Sequence, residues 1–482
     1  MAKGLSRKEI EEGLRELGLV EGDVVLLHSS LASFGHVDGG APTVVEAFLA
    51  VLGQDGTLVV PAFGSFGAIA DVVRQSSEAV HSLHPLASVA AIGADADYIC
   101  QDHWKAETAH GKDTPYMRVA ELGGYVCLAG VDQDRNTSLH TAEALLELPY
   151  LSERTATFDT PEGQVTQTWK HFPGPHRDFI ALDRLLRERG VMRRGRIGAS
   201  VVRLMKSQKM LDVCIEAGTA DPTFVLCDNP QCADCVAQRT AIRRDRLARE
   251  DFTLVAASGL AGRHVDEVIA NVKRAGLGSV ELDYLDGKPV YAFSIDELRM
   301  AVKRLRDAGC TVTAMRCWAV PDNVEEFMDG VAVTGVRRVV MPLSPAAKKL
   351  VKLASDRGLR LSVFNLAQDS STVTRMLEKL REAGPKVGLT FSVGEFARIG
   401  EKPFLGSFKK RLRKVIDQLD VEDRTFDGVV QPLARGNAEI KEMISILRCR
   451  SFDGPMVLTS TNREWGDLMA VVLRFEHLLD AM

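Results

Sequence analysis

A histidine and a glutamate three residues apart, His140 and Glu143, sit in YVCLAGVDQDRNTSLHTAEALLEL and suit acid–base chemistry. On a helix, that spacing puts them on one face within the first turn or two. A carboxylate there holds the imidazole in one tautomer and raises its basicity. The other ring nitrogen can then accept a proton near neutral pH. Thr137 precedes the pair, and its hydroxyl, with free N–H groups at the helix start, could stabilise an oxyanion beside the base. Surface His–Glu pairs share this spacing, so spacing alone leaves both readings open.

A second group is the loop HSSLASFGHVDGG, residues 28–40, which follows a strand and gathers hydroxyls and glycines before a helix. Such a loop presents donors to phosphate or to pantetheine amides. It has neither the GK[ST] of a Walker loop nor a GxGxxG, which counts against a dinucleotide site. A plain capped strand–helix connection accounts for it equally well. The third group is Cys214, Cys227, Cys232 and Cys235, four thiols with a close Cys-x2-Cys pair that would suit one tetrahedral zinc. Reduced, partly buried thiols are the alternative. His171 and His176 are alternative ligands or substrate contacts.

The elements that must position these groups divide into two rhythms. In the first half GDVVLLHSS, GTLVVPAF and YVCLAGVD read as strands. APTVVEAFLAVLG, ASVAAIGADADYIC, TSLHTAEALLEL (stopped by Pro149) and RDFIALDRLLRERG read as helices. Asn136, Thr137 and Ser138 suit an N-cap for the helix bearing His140. A charged stretch, AQRTAIRRDRLARED, then marks a connecting helix or linker over 241–251. Beyond it eight apolar runs alternate with helices such as SIDELRMAVKRLRDAG. The runs are FTLVAAS, SVELDYL, TVTAMRCWA, RRVVMPL, RLSVFNLA, VGLTFSV, DGVVQPLA and PMVLTST. Eight buried strands alternating with helices predict a (β/α)8 barrel over 252–482, with a doubly wound open sheet as the competitor. The fold class is α/β throughout.

At 482 residues the chain needs more than one core. Sixty Lys and Arg against 65 Asp and Glu leave a formal charge of −5, which argues against nucleic acid as a partner. No run approaches the roughly 18 apolar residues of a membrane span. The charged amphipathic start has no signal core, so a cytoplasmic protein is expected. Nine cysteines, an odd number in a long chain, do not suggest a disulfide framework.

Residues 5–240 carry LLHSSLASFG, VDGGAPTVVEAFLAVLGQDGTLVVPAF, VHSLHPLASVAAIGADAD, TPYMRVAELGGYVCLAGV and NTSLHTAE in one order. This half, 1–240, resembles the aminoglycoside 3-N-acetyltransferase family. The resemblance implies an acetyl-CoA-dependent N-acetyltransferase that joins donor and small-molecule amine acceptor in a ternary complex. It places the family's HxxE pair on His140 and Glu143, its threonine on Thr137 and its late acidic position on Asp178. His28, Ser29 and Ser30, followed by Leu31, Ser33, Phe34 and Gly35, match the part that lines the CoA pantetheine channel, with Ser88 beside them. Family members carry a longer segment between Pro61 and His84. Here the acceptor wall is trimmed to Asp71 and Glu78, which leaves the acceptor open between an aminoglycoside or amino sugar and a biosynthetic, non-antibiotic amine. Neither nucleic acid nor membrane is implied as partner, and homo-oligomerisation stays open.

The second half is similar to xylose-isomerase-like and sugar-phosphate-isomerase-like barrels in its strand rhythm and in GSVELDYL. Those enzymes hold a divalent metal on Glu, Asp and His near late strand ends. Here the matching positions read Asn365, Ser392, Gln431 and Thr459, with Glu281, Asp283 and Glu395 as candidate substitutes. The expectation is a barrel without metal. A barrel-based isomerase or epimerase and a non-catalytic scaffold are the remaining alternatives.

Overall fold

The computed structural model describes residues 4–482 except 175, 346, 385, 386 and 466. The chain divides into two compact units, residues 1–242 and 243–482. The charged stretch is helical, Ala233–Ala248, and the division falls within it. Among the described residues, no helix is long and apolar enough to cross a membrane.

The first unit is built on a seven-stranded mixed sheet. Its strands are β1 (Val24–Ser29), β2 (Thr57–Pro61), β3 (Val80–His81), β4 (Val89–Gly93), β5 (Tyr125–Ala129), β8 (Met192–Ile197) and β9 (Ser200–Lys206), in the order β3-β4-β2-β1-β5-β9-β8. A separate hairpin pairs β6 (Ser152–Thr160) with β7 (Gly163–His171). Strands β2 and β5 flank β1 and run parallel to it, so the chain leaves β1 in both directions. That reversal opens a crevice at the carboxyl ends of β1 and β5, where α/β sheets bind ligands.

Both faces of the sheet are covered. Val25 and Leu27 pack into one apolar cluster and Val24 and Leu26 into another, which explains why β1 reads as an unbroken apolar run. The same physics corrects one expectation. ASVAAIG is not helix but β4, followed by a short helix Ala96–Cys100. Its alanines favour helix locally, yet pairing with β2 and burial on both faces (Ala91 on one, Ala90 and Ile92 on the other) prevail. The β6–β7 hairpin went unread in the sequence, because its one apolar face, with Phe158, Val165 and Trp169, is broken by Arg154 and Gln167. Cross-strand hydroxyl pairs Thr155–Thr168 and Thr157–Thr166, each 2.8 Å, zip it together.

The second unit is a closed barrel of eight parallel strands in sequential order: Thr253–Ala257, Ser279–Leu282, Thr311–Arg316, Arg338–Pro342, Arg360–Phe364, Gly388–Ser392, Ile416–Val421 and Pro455–Leu458. Helices separate most of them, among them Ile295–Asp307, whose capping box joins Ser294 and Glu297. The seventh strand differs from expectation. DGVVQPLA does not enter the barrel; Val430–Gln431 instead pairs with Asp423–Arg424 in a two-stranded ribbon. The barrel strand is Ile416–Val421, IDQLDV, whose polarity hid it. Leu419 and Val421 pack in the main core, while Gln418 and Asp420 are buried in contact with Arg316 and Glu281.

This changes the reading of the barrel's interior. Gln431 ends no barrel strand, and the true seventh strand brings Asp420 into the interior instead. Arg316, 1% exposed, donates through Nε to Glu281 (2.5 Å) and through both Nη atoms to Asp420 (3.0 and 2.5 Å). Its guanidinium also lies over Phe364 and Trp318. A cation supplied by the chain itself binds both carboxylates and balances one of their two charges. Nearby, burial pushes the Glu422 carboxyl up to about 7.

Candidate active site

Strand β5 ends at Ala129, Gly130 turns the chain at φ +73°, and a short turn Gln133–Arg135 leads to helix Leu139–Leu145. Only glycine fits at 130, since a Cβ there would lie 1.6 Å from Ser33 Oγ. The loop is pinned from the sheet: Arg203 donates to Asp132 (2.9 Å), to the Val131 carbonyl (3.1 Å) and to Asp183 (3.0 Å). The helix starts two residues later than expected. None of Asn136, Thr137 or Ser138 caps it through a side chain. Asn136 instead donates to Gln133 (2.9 Å), and Ser138 Oγ is buried without a partner.

His140 and Glu143 meet as expected. Nδ1 of His140 donates to Oε2 of Glu143, because an ionised carboxylate can only accept. The ring's Nε2 is thereby left as the acceptor nitrogen. Glu143 is fully buried, and its Oε1 accepts from Tyr150 Oη and Arg177 Nε, both at 2.6 Å. Burial pushes the carboxyl up, but His140, Arg177 and Tyr150 outweigh it and hold it below the ordinary range. On His140 burial acts downward and Glu143 upward, and the result lies below the ordinary histidine value. His140 is therefore neutral at neutral pH, which is the state a general base needs.

Aromatic walls fix the ring. Phe172 stacks on His140 with centroids 3.4 Å apart and planes 7° apart, and Phe179 meets its edge at 4.9 Å. The β6–β7 hairpin supplies this wall, because β7 ends at His171, one residue before Phe172. Buried Trp169 anchors the hairpin through Nε1 to the Trp104 carbonyl at 2.8 Å. Arg177, Tyr150, Phe172 and Phe179 escaped the sequence reading. Asp178, expected in the site, contributes a backbone N–H to the Val225 carbonyl (2.8 Å), and its carboxylate bonds neither His140 nor Glu143. The Thr137 carbonyl accepts from His140 N at 3.1 Å, and its half-buried hydroxyl bonds neither member of the pair.

His28 and Ser29 line a cavity of about 260 Å3 with Pro61, Ser65, Phe66, Val131 and Arg135. Burial pushes His28 down to about 3, and its Nε2 is buried without a protein partner, so a polar group entering the cavity would find a neutral imidazole. The Ser30 N–H donates to the Ala129 carbonyl (2.9 Å), and Ser33 Oγ bonds the Ser30 carbonyl (2.7 Å) and Ser200 Oγ (2.9 Å). Leu31 and Phe34 turn toward the core, so the side chain of Phe34 is structural; Gly35 turns the chain at φ +81°. Ser88 lies at the neighbouring strand end, its carbonyl accepting from Ala62 N at 2.8 Å.

A second cavity, about 390 Å3, borders the carboxyl end of the His140 helix at Ala144 and Leu145. Glu107, Asp113 and Glu147 line it, with Lys112 and Lys170. Asp113 (φ +61°) and Glu147 (φ +49°) both hold left-handed backbone conformations, uncommon for residues with a Cβ and concentrated at functional sites. Asp71 pairs with Arg74 at 3.2 Å, and Glu78 is exposed.

The thiols separate. Cys214 lies in an apolar cluster, its thiol pushed up to about 12 by burial, and it does not join the other three. An apolar helix face, not a ligand position, explains it. Cys227, Cys232 and Cys235 gather instead with His176.

A family model described as aminoglycoside 3-N-acetyltransferase matches residues 26–66 and 63–217. The chain is 29% identical over 263 residues to aminoglycoside N(3)-acetyltransferase VII of Streptomyces paromomycinus, covering 43% of this chain and 89% of that one. Aminoglycoside N(3)-acetyltransferase IV of Salmonella sp is 30% identical over 238 residues, covering 46% and 90%. The enzyme IX of Micromonospora chalcea is 30% identical over 250 residues, covering 41% and 87%. A crystal structure of an aminoglycoside acetyltransferase apoenzyme aligns at 29% identity and TM-score 0.46, over 50% of this chain and 99% of that one. The protein is an N-acetyltransferase. The chain belongs to the aminoglycoside 3-N-acetyltransferase family.

Proposed function

We propose that the chain transfers the acetyl group of acetyl-CoA to an amine of a cationic amino-sugar-like small molecule, with His140 as general base. The observation that carries this reading is the geometry of the His140 ring, its Nδ1 held by a buried Glu143 and its Nε2 left to accept a proton. Acetyl-CoA, when bound, supplies an activated thioester. Nε2 takes the proton from the acceptor nitrogen as that nitrogen attacks the thioester carbonyl. The C–N bond forms, the C–S bond breaks, and the imidazolium proton goes to the departing CoA sulfur. Glu143 faces the imidazolium and offsets its charge, while Arg177 and Tyr150 hold the carboxylate in place. The Thr137 hydroxyl is proposed to donate to the developing negative charge of the thioester oxygen. His28, Ser29, Ser30 and Ser33 are proposed to face the pantetheine arm, supported by the unpartnered His28 Nε2 in its cavity. Release of CoA thiol with a panel of aminoglycosides and simple amino sugars tests the reading. No turnover with any amine, in protein that binds acetyl-CoA, would overturn it.

The cavity beside the His140 helix has three carboxylates against two lysines, with Glu107 paired to Lys170 at 2.5 Å, and this net negative lining supports a cationic acceptor. Glu107 and Glu147 are exposed, and two of the three lining carboxylates sit on strained backbone. Glu147→Gln is expected to raise the acceptor KM several-fold while the KM for acetyl-CoA stays unchanged. Equal effects on both would sink this placement. For the second half we propose a (β/α)8 barrel of the xylose-isomerase-like kind, beginning near residue 252 after a connecting segment 241–251. Arg316 fills the carboxylate cage with its own positive charge, which suits a barrel without a divalent metal.

Acid-side kinetics offer a further check. The base must be neutral, and its pKa lies below the ordinary value of about 6.5, so the rate holds through neutrality and falls only as pH drops through the folded-state pKa. Glu143 raises that pKa and Arg177 lowers it. The acid limb is therefore expected at lower pH in Glu143→Gln, with reduced kcat, and at higher pH in Arg177→Met. Limbs that stay put in both variants would assign the base to another group.

A further inference from the structure

Residues 221–232 cross from helix Ser207–Ala220 to helix Ala233–Ala248 without a strand or helix of their own. Only Val225 and Leu226 of this stretch enter the core fully. Packing alone is thin here, yet three cysteines and a histidine converge. His176 Nδ1 lies 3.3 Å from Cys235 Sγ and 3.4 Å from Cys232 Sγ, and all four donor atoms, Cys227 included, lie within 4.8 Å of one another.

Tetrahedral zinc sets bond lengths of about 2.3 Å to sulfur and about 2.0–2.1 Å to imidazole nitrogen, so its ligand atoms stand roughly 3.5–3.8 Å apart. The two His176–thiol distances are within a few tenths of an ångström of that geometry, and no pair among the four exceeds it by more than about 1 Å. Its ligand set is Cys3His, closed, with a Cys-x2-Cys knuckle at the start of a helix. The surroundings hold the donors in place. Asp234 accepts from the His176 N–H at 3.1 Å, and Gly174, at φ +69°, leaves room for that carboxylate, since a Cβ there would lie 2.4 Å from it. Arg239 donates to the Leu226 and Cys227 carbonyls, both at 2.7 Å.

We propose that His176, Cys227, Cys232 and Cys235 bind one structural zinc ion, and that its hold on His176 positions the neighbouring Arg177 against Glu143. Arg177 Nη1 already donates to the His176 carbonyl at 2.7 Å, so the link from metal site to carboxylate is two adjacent residues long. A closed site leaves no position for chemistry, so the ion acts on stability and geometry. The positioning half of this proposal rests on His140 as the base; the metal half does not.

Metal analysis of the full chain is the test, with wild type, Cys232→Ser/Cys235→Ser and Cys214→Ser compared. The expected result is one zinc per chain in wild type and in Cys214→Ser, none in the double variant, and a lower melting temperature in the double variant. Cobalt exchanged into wild type should show tetrahedral d–d bands with intense thiolate charge-transfer absorption, a readout that holds even if the double variant fails to fold. In His176→Cys, zinc retention with a displaced acid limb of the rate profile supports the link to Arg177. An unmoved limb removes that link while leaving the metal site standing. Metal-free wild type that takes up neither ion, a Cys232–Cys235 disulfide in freshly purified protein, or zinc kept by the double variant overturns the site.

Discussion

Replacing His140 with alanine is expected to lower turnover by about two to four orders of magnitude, the usual worth of a positioned general base. Acetyl-CoA binding should persist, because Glu143, Phe172, Phe179 and His110, which the ring meets, do not line the His28 cavity. The substitution also leaves Phe172 without its stacking partner and Glu143 with two bonds rather than three. Arg177 and Tyr150 still satisfy the carboxylate, so the variant should fold. Steady-state rates alongside acetyl-CoA titration separate the two effects. Parent-like turnover in a variant of intact fold would remove His140 from the reaction.

Arg316→Met is expected to destabilise the barrel by about 3–5 kcal/mol, the range for breaking a buried ion pair and leaving charge uncompensated. Glu281 and Asp420 would remain, fully buried, with Gln418 and Ser392 as neutral donors. Burial already pushes Glu281 up, and without the guanidinium it would move further toward the protonated form. Neutralising the pair as well, in Arg316→Met/Glu281→Gln/Asp420→Asn, should recover part of the loss. Urea unfolding of the full chain, fitted with a separate transition for each unit, reads this out. A single variant within about 0.5 kcal/mol of the parent, the spread of neutral surface changes, would show that the triad contributes nothing.

How much of this was legible depended on where side chains point. Strands covered on both faces, such as β1 and β5, announce themselves as apolar runs, and seven of the barrel's eight strands did so. Ile416–Val421 did not, because one of its faces carries Gln418 and Asp420 to an internal cation. His140 and Glu143 were readable since a helix brings near neighbours together. Arg177, Tyr150 and Phe172 reach the pair only through tertiary folding, from 34, 7 and 32 residues away from Glu143 or His140, and no local spacing encodes that. His176, one of the two alternative ligands offered by the sequence, took the place of Cys214 among the gathered donors. Chain proximity suggested the thiol in the neighbouring helix, while the turn after β7 brought the imidazole.

The internal arginine also bears on which alignment the barrel adopts when it closes. Moving strand Ile416–Val421 by one residue against its neighbours would turn Leu419 and Val421 inward and send Gln418 and Asp420 into the helix layer. Arg316 would then lose its carboxylate fork in a space that water does not reach. An aliphatic strand would slide with far less consequence, since one branched side chain fills much the same volume as the next. The ionic set thus discriminates between neighbouring registers: it penalises the misaligned closure more than it favours the aligned one.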